Sequence, residues 1–160
     1  MALESYIGPF IEVCENVFRK LGKVEIKAGR PYIITKADMQ KQQNWDVSAV
    51  IGFTGEAIGA AVISFKSSLA IKLVDTLTGK THTEMDREVN DVVGEIINII
   101  AGRAKERMEN EFTLTISLPT IVRGNSMSVE WPGNLPRIIC IPFTVFKTET
   151  FTLAISIEQK

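Results

Sequence analysis

Glu95 and Asn98 are the two side chains in this sequence whose types and spacing best suit chemistry on another molecule. A carboxylate can bind a cation, and a carboxamide both accepts and donates hydrogen bonds. The pair lies in the stretch from Asp91 to Gly102, which has the periodicity of the middle of a long helix. Residues three positions apart on a helix are neighbours, with β-carbons about 5–6 Å apart. The two side chains can therefore act together.

Helical periodicity places this pair opposite the apolar side of the helix. At about 100° per residue, one broad face collects the apolar side chains Val89, Val92, Val93, Ile96, Ile97, Ile99, Ile100 and Ala104. The other side carries Asp91, Glu95, Asn98, Gly102 and Lys105, with Gly94 beside them. We therefore expect Glu95 and Asn98 to point away from the core.

Two glycines, Gly94 and Gly102, flank the pair, although each costs about 1 kcal/mol relative to alanine inside a helix. They lower the surface around Glu95 and Asn98, so that the backbone of a partner protein could approach closely. A second explanation stays open. One glycine would receive the sheet or another helix of the same chain, and the polar pair would simply be solvated.

The composition fits one globular domain and excludes several kinds of function. The 160 residues can bury a core and show no linker-like stretch, so we expect a single domain over residues 1–160. A formal net charge of -1 gives no footprint for nucleic acid or an anionic membrane. No apolar run approaches the ~20 residues of a transmembrane helix, and the N-terminus lacks the pattern of a signal peptide. We predict a cytoplasmic protein.

The sequence offers few residues for metal or triad chemistry. A zinc site of Cys and His ligands needs more of them than His82, Cys14 and Cys140 supply. No nucleophile-elbow pattern accompanies His82, which we predict to lie in a surface loop. The two cysteines are far apart in sequence and are expected to be reduced. We predict no metal site and no cofactor of the protein's own.

Three helices must position the pair. The first is predicted over residues 5–21 with Ser5 as its N-cap, and the second begins after Ser67 or Ser68. The third carries the pair and runs to about residue 109. Its predicted start is Thr83, because Asp86 three residues later resembles a capping box.

Short runs of apolar and β-branched residues predict the strands. These runs cover residues 24–26, 32–34, 47–53, 57–65, 112–117, 126–130, 137–145 and 150–157. The order of helices and strands predicts an α+β domain, in which three main helices cover one face of a mostly antiparallel sheet.

The spacing of Asp91, Glu95 and Asn98 resembles the signature of the CheC/CheX/FliY family of chemotaxis phosphatases. That signature has an acidic residue or serine, three residues, glutamate, two residues, asparagine, and a proline some twenty residues later, here Pro119. The element order agrees with the family over nearly the whole chain, and the length is close to that of CheX-type members. The resemblance implies a CheC-like fold. The flagellar-switch domain of FliY-type members has no room in this chain.

The resemblance also implies a reaction. Its substrate would be the aspartyl phosphate of a CheY-type response regulator, which carries its own Mg²⁺. Asn98 would position the attacking water, and Glu95 would form a salt bridge with the regulator's active-site lysine. Asp91, Gly94 and Gly102 would contact the regulator. CheX-like relatives are dimers through their sheets, so the resemblance further implies a homodimer.

Two competing functions stay open on the sequence alone. The domain could bind a response regulator or a flagellar partner without hydrolysing anything. Alternatively, the helix face could be a homodimer contact in a structural protein, with its glycines serving close assembly.

The family's second, pseudo-symmetric site would lie on the first helix. That helix offers Glu12, has Glu15 where the asparagine would stand, and has Asn16 one position late. A carboxylate cannot replace the amide's donor, and one residue turns a side chain by about 100°. We therefore predict a single competent site, on the third helix.

Overall fold

Three helices and eight strands form the part of the chain that the computed structural model describes, residues 4–35, 45–109, 113–124 and 137–159. The helices are α1 (Glu4–Gly22), α2 (Ser67–Thr78) and α3 (Arg87–Met108). The strands are β1 (Ile26–Ala28), β2 (Tyr32–Thr35), β3 (Val47–Gly55), β4 (Ala57–Phe65), β5 (Leu114–Ile116), β6 (Thr120–Arg123), β7 (Arg137–Val145) and β8 (Glu149–Gln159). The strand predicted at residues 126–130 lies outside the described residues.

The eight strands pair in one antiparallel sheet in the order β1-β7-β8-β4-β3-β5. Each edge of the sheet consists of two short strands that pair with different parts of one long strand. Strands β1 and β2 both pair with β7, and strands β5 and β6 both pair with β3. The long strand β8 is central, so that Ile155 lies opposite Ala61 on one side and Ile139 on the other.

One face of the sheet packs against all three helices and forms the main core. Phe151 of β8 lies at its centre, with its ring centroid 5.3 Å from Phe18, 5.0 Å from Phe65 and 5.2 Å from Phe143. Aromatic pairs at these separations add to the stabilisation from burial alone. The predicted α+β class, with helices on one face of an antiparallel sheet, is confirmed.

The opposite face of the sheet carries a smaller buried cluster. Its members are Ile34, Ala60, Val62, Ile138, Cys140 and Ala154. Cys14 belongs to the main core instead, and both cysteines are free, as predicted. Burial raises the pKa of the Cys140 thiol to about 11 and also raises that of Cys14.

The start of α3 differs from its prediction. Asp86, not Thr83, is the N-cap, and its carboxylate accepts a hydrogen bond from the Val89 N–H at 2.9 Å. An aspartate can satisfy a free N–H of the first turn by itself. The helix therefore begins at Arg87 and presents Glu88 in its first turn.

The predicted cap residues of α1 and α2 lie inside the helices instead. Ser5 follows the first helical residue of α1, and Ser67 is the first residue of α2. The Ser67 N–H donates to the carboxylate of Asp46 at 2.7 Å, and this bond lowers the pKa of Asp46. The cap of α2 thus comes from the residue before β3, which local sequence cannot reveal.

Strand β6 was not predicted, and β1 begins two residues later than expected. Residues 120–123 follow Pro119 and show no clear alternation of buried and exposed side chains. Such a short edge strand depends on its pairing with β3, in which Thr120 lies opposite Val50 and Arg123 opposite Val47. This pairing brings Pro119 to the side of α3.

Candidate active site

One ridge of α3 carries Gly94, Asn98 and Gly102. Residues four apart lie on the same ridge of a helix, so Asn98 has a glycine one turn before it and another one turn after it. This ridge faces residues 116–121, which connect β5 to β6 and which we call the Pro119 segment.

The two glycines let the Pro119 segment lie close to the helix. A β-carbon at Gly94 would be 3.4 Å from Ile121 Cδ1 and 3.6 Å from Pro119 Cγ, and one at Gly102 would be 4.0 Å from Ile116 Cδ1. The structure thus shows Gly94 receiving another part of its own chain, which was the second explanation. The roles of Gly94 and Gly102 in binding a partner stay predictions.

Glu95 and Asn98 point away from the core, as predicted. Glu95 is exposed, and Asn98 is partly exposed at the border of the Pro119 segment. Within the described residues, neither side chain has a hydrogen bond or an ion pair. Both are therefore available to a molecule that docks on this face.

The acidic residues of this face form a stripe. Asp91 and Glu95 line one shallow depression together with Arg87, Glu88 and Val92. The carboxylate of Asp91 lies 4.0 Å from Arg87 Nε, and both side chains are largely exposed. An exposed pair at this distance contributes little to stability, so Asp91 can exchange this contact for one with a partner.

Buried side chains hold the helix behind the pair. Val93, Ile96 and Ile97 are at most 1% exposed and belong to the main core. A close-packed core permits little movement of a helix. Glu95 and Asn98 are thus presented by a rigid element, which suits a site that works by positioning.

The Pro119 segment is itself fixed to the sheet. The Ser117 N–H donates to the carbonyl of Gly52 at 2.9 Å, and the Gly52 N–H donates to Ser117 Oγ at 2.9 Å. Leu118 follows, and its side chain is 86% exposed. Sequence reasoning missed Leu118, because nothing in a single leucine before a proline indicates exposure.

His82 is not the surface side chain that the sequence suggested. It does lie between α2 and α3, but its side chain is 5% exposed and bridges two carboxylates. Its Nδ1 is 2.6 Å from Asp75 Oδ1, and its Nε2 is 2.5 Å from Glu88 Oε1. Lys80 Nζ donates to the other oxygen of Glu88 at 3.0 Å. The acidic residues on either side of His82 in the sequence could have indicated that the imidazole binds carboxylates.

These contacts shift two pKa values. The hydrogen bonds that His82 donates to the carboxylates, first that of Asp75 and then that of Glu88, raise the pKa of His82 above its ordinary value. Hydrogen bonds from Lys80 and then His82 lower the pKa of Glu88. The carboxylate of Glu88 is therefore ionised and already bound by Lys80 and His82.

The corresponding face of α1 is engaged within the chain. The carboxylate of Glu12 accepts a hydrogen bond from the guanidinium of Arg107, and Asn16 Oδ1 accepts one from Arg19 at 3.1 Å. Glu95 and Asn98 have no such partners in the described part of the chain. The contrast agrees with a single competent site, which stays a prediction.

Within the described residues, no group of three His, Cys, Asp or Glu side chains is placed to hold a metal ion. No helix in the same part of the chain is long and apolar enough to cross a membrane.

The fold is shared with CheC-like proteins. The crystal structure of a CheC-like superfamily protein from Shewanella sp. PV-4 superposes with a TM-score of 0.84 at 25% identity, over 99% of each chain. The structure of the CheX-CheY-BeF3-Mg²⁺ complex from Borrelia burgdorferi has the same fold, with a TM-score of 0.80 at 23% identity, over 96% of this chain and 98% of that one. The fold therefore belongs to the CheC-like class.

The sequence comparisons narrow this class to a family. Residues 47–144 match the family described as Chemotaxis phosphatase CheX. The CheY-P phosphatase CheX of Thermotoga maritima is 28% identical over 159 residues, which is 98% of this chain and 96% of that protein. The chain belongs to the chemotaxis phosphatase CheX family and is therefore a hydrolase, which confirms the family resemblance.

Proposed function

We propose that this phosphatase hydrolyses the aspartyl phosphate of a CheY-type response regulator. The observation that carries the proposal is the outward-facing pair Glu95 and Asn98, unengaged among the described residues and fixed from behind by the core. The Thermotoga maritima relative is named for its action on CheY-P, and the Borrelia burgdorferi protein of the same fold was solved with CheY and Mg²⁺.

Asn98 positions the attacking water in this proposal. Its carbonyl oxygen accepts a hydrogen bond from the water, and its NH₂ donates to a second acceptor. The water oxygen attacks phosphorus in line with the bond to the aspartyl oxygen, which breaks and leaves a carboxylate. Such transfers depend mainly on positioning and charge stabilisation. An uncharged amide can approach the anionic phosphoryl group without repelling it.

Glu95 and Asp91 bind the regulator rather than the phosphoryl group. A carboxylate one turn from Asn98 can form a salt bridge with a lysine that neighbours the acyl phosphate, which fixes the orientation of the complex. Gly94 and Gly102 let the Pro119 segment pack low against the helix, so that the regulator can reach Asn98 between them. The Mg²⁺ that offsets the phosphoryl charge belongs to the regulator, so this chain supplies no cofactor.

The first prediction concerns Asn98→Ala. Loss of the positioned water should reduce accelerated dephosphorylation by about 100-fold or more, while the partly exposed position should leave the melting temperature nearly unchanged. The measurement is the decay of a phosphorylated CheY protein with and without the variant.

Asn16→Ala on α1 is the matched control. It removes an amide from α1 one position after Glu15, which stands where an asparagine of a second site would be, and it should keep wild-type activity. Wild-type turnover by Asn98→Ala would contradict the mechanism. Loss of turnover in Asn16→Ala instead would move the site to α1.

A further inference from the structure

Leu118 is the most exposed large apolar side chain in the described part of the chain. Its side chain is 86% exposed, against 53% for Ile33, 44% for Leu21 and 41% for Tyr32. Single exposed apolar residues are common on protein surfaces. Exposure alone therefore does not give Leu118 a role, but its rigidity and its location do.

The backbone holds Leu118 on both sides. Ser117 is bound to Gly52 through two hydrogen bonds of 2.9 Å, and Ser117 Oγ also donates to the Leu118 carbonyl at 3.1 Å. Pro119 restricts the preceding residue to an extended conformation and packs against Gly94. A fixed leucine loses less conformational freedom on binding than one on a mobile loop tip.

Leu118 belongs to the segment that runs past Asn98. Gly94 is opposite Pro119 and Gly102 is opposite Ile116, so Asn98, midway between the glycines, is level with residues 117–118. Each glycine is about 6 Å from Asn98 along the helix axis, and successive Cα atoms of the segment are about 3.8 Å apart. A standard protein interface covers about 800 Å² on each partner, a disc of about 16 Å radius. The footprint of a protein that docks on Asn98 is therefore large enough to reach Leu118.

We propose that Leu118 is a docking residue for the phosphorylated regulator and fits an apolar patch beside the regulator's acyl phosphate. This inference rests on the proposed function of Asn98 and Glu95. The polar pair supplies orientation and chemistry, whereas an exposed leucine supplies apolar area that leaves water only in the complex. Leu118 thereby sets affinity and leaves the chemical step to Asn98.

The second prediction uses Leu118→Ser, with Leu118→Met as the conservative variant. The probe is a purified CheY protein phosphorylated by a small-molecule phosphodonor, and initial rates are measured against its concentration. Leu118→Ser should raise KM by about 10-fold or more and leave kcat within about twofold, because it removes binding rather than chemistry. Leu118→Met should restore a KM near that of the wild type.

Leu21→Ser is the matched control, because Leu21 is an exposed leucine at the end of α1. It should leave KM unchanged, and both serine variants should keep the wild-type melting temperature. An unchanged KM in Leu118→Ser overturns the docking role. A fall in kcat at unchanged KM overturns it too, since Leu118 would then act on the chemistry. A change in oligomeric mass assigns Leu118 to a second copy of this chain instead.

The two proposals fail in different ways. If Asn98→Ala is inactive and Leu118→Ser has a normal KM, only the inference on Leu118 is wrong. If Asn98→Ala keeps full activity, the proposed function is wrong, whatever Leu118→Ser does.

Discussion

Glu88 and Glu95 lie two turns apart on α3, yet their carboxylates are engaged differently. Glu88 is bound to Lys80 and His82, which lower its pKa. Glu95 is exposed and makes no ion pair among the described residues. A carboxylate already satisfied within the chain gains little from a new cation, whereas an unengaged one keeps its full capacity. This difference favours Glu95 as the residue that meets the regulator's lysine.

The third prediction follows from this difference. Glu95→Gln keeps the size of the side chain but removes its charge, so KM for a phosphorylated CheY protein should rise by about 10-fold with a smaller change in kcat. The dependence of KM on ionic strength should also weaken, because salt screens exposed charge pairs.

Glu106→Gln provides the control for charge removal on the same helix, because Glu106 is exposed on α3 three turns after Glu95. It should leave KM and its salt dependence unchanged. Equal effects of the two variants would show that α3 acts through its total charge and that Glu95 has no specific contact.

The sequence alone predicted the outward orientation of Glu95 and Asn98, but it could not decide between the two explanations of the glycines. Helical periodicity alone placed Glu95 and Asn98 outward, because α3 has a broad apolar stripe. The packing of Gly94 on Pro119 joins residues distant in sequence. It depends on β6, whose four residues carry no periodic signal.

The helices α2 and α3 are joined by the His82 cluster. His82 contacts Asp75 near the end of α2 and Glu88 in the first turn of α3, while Lys80 contacts Glu88 from the loop between them. The carboxylate of Asp86, the N-cap of α3, also raises the pKa of His82. The strength of these contacts between α2 and α3 therefore depends on the charge of the His82 imidazole.

The fourth prediction states how the contributions of His82 and Glu88 to stability change with pH. The folded state raises the pKa of His82 above 6.5, so its contribution to stability is complete below about pH 6.5 and is lost as the pH rises through the folded pKa. The folded state lowers the pKa of Glu88 below 4.5, so that contribution is lost as the pH falls through the lower value. Both contributions are present together between about pH 4.5 and 6.5.

Urea unfolding of the wild type and His82→Gln at pH 6 and pH 9 checks this pH dependence. The variant should be less stable than the wild type at pH 6, and the difference should shrink at pH 9, because the rising pH deprotonates the wild-type imidazole. A difference of the same size at both pH values would mean that His82 acts through packing alone. At pH 6 the activity of the variant also reports whether the start of α3 affects the site.

The ends of the elements were harder to predict than the elements themselves. Three helices and the long strands follow from apolar periodicity, which is a property of each segment. The cap of α2 comes from Asp46, which precedes β3, and the edges of the sheet depend on which strand pairs with β7. Strands β1 and β2 both pair with β7, and nothing in the sequence of either strand predicts this pairing.

The fifth prediction concerns the assembly of the whole molecule. The resemblance to CheX-type proteins implies a homodimer formed through the sheets. Strand β2 lies at one edge of the described sheet and exposes Tyr32 and Ile33, and edge strands favour pairing with another chain. Sizing with light scattering should give twice the chain mass of 17.8 kDa. A mass of one chain throughout a concentration series up to high micromolar would contradict the dimer.

The central position of β8 has a consequence for how the protein is made. Strand β4 pairs with β8, but it leaves the ribosome about 80 residues earlier. At about 5–20 residues per second, synthesis of the intervening chain takes roughly 4–16 s. During this interval one edge of β4, an almost wholly apolar strand, has no partner from its own sheet. Each pause in translation between the two strands lengthens the time in which nascent chains can pair wrongly with one another.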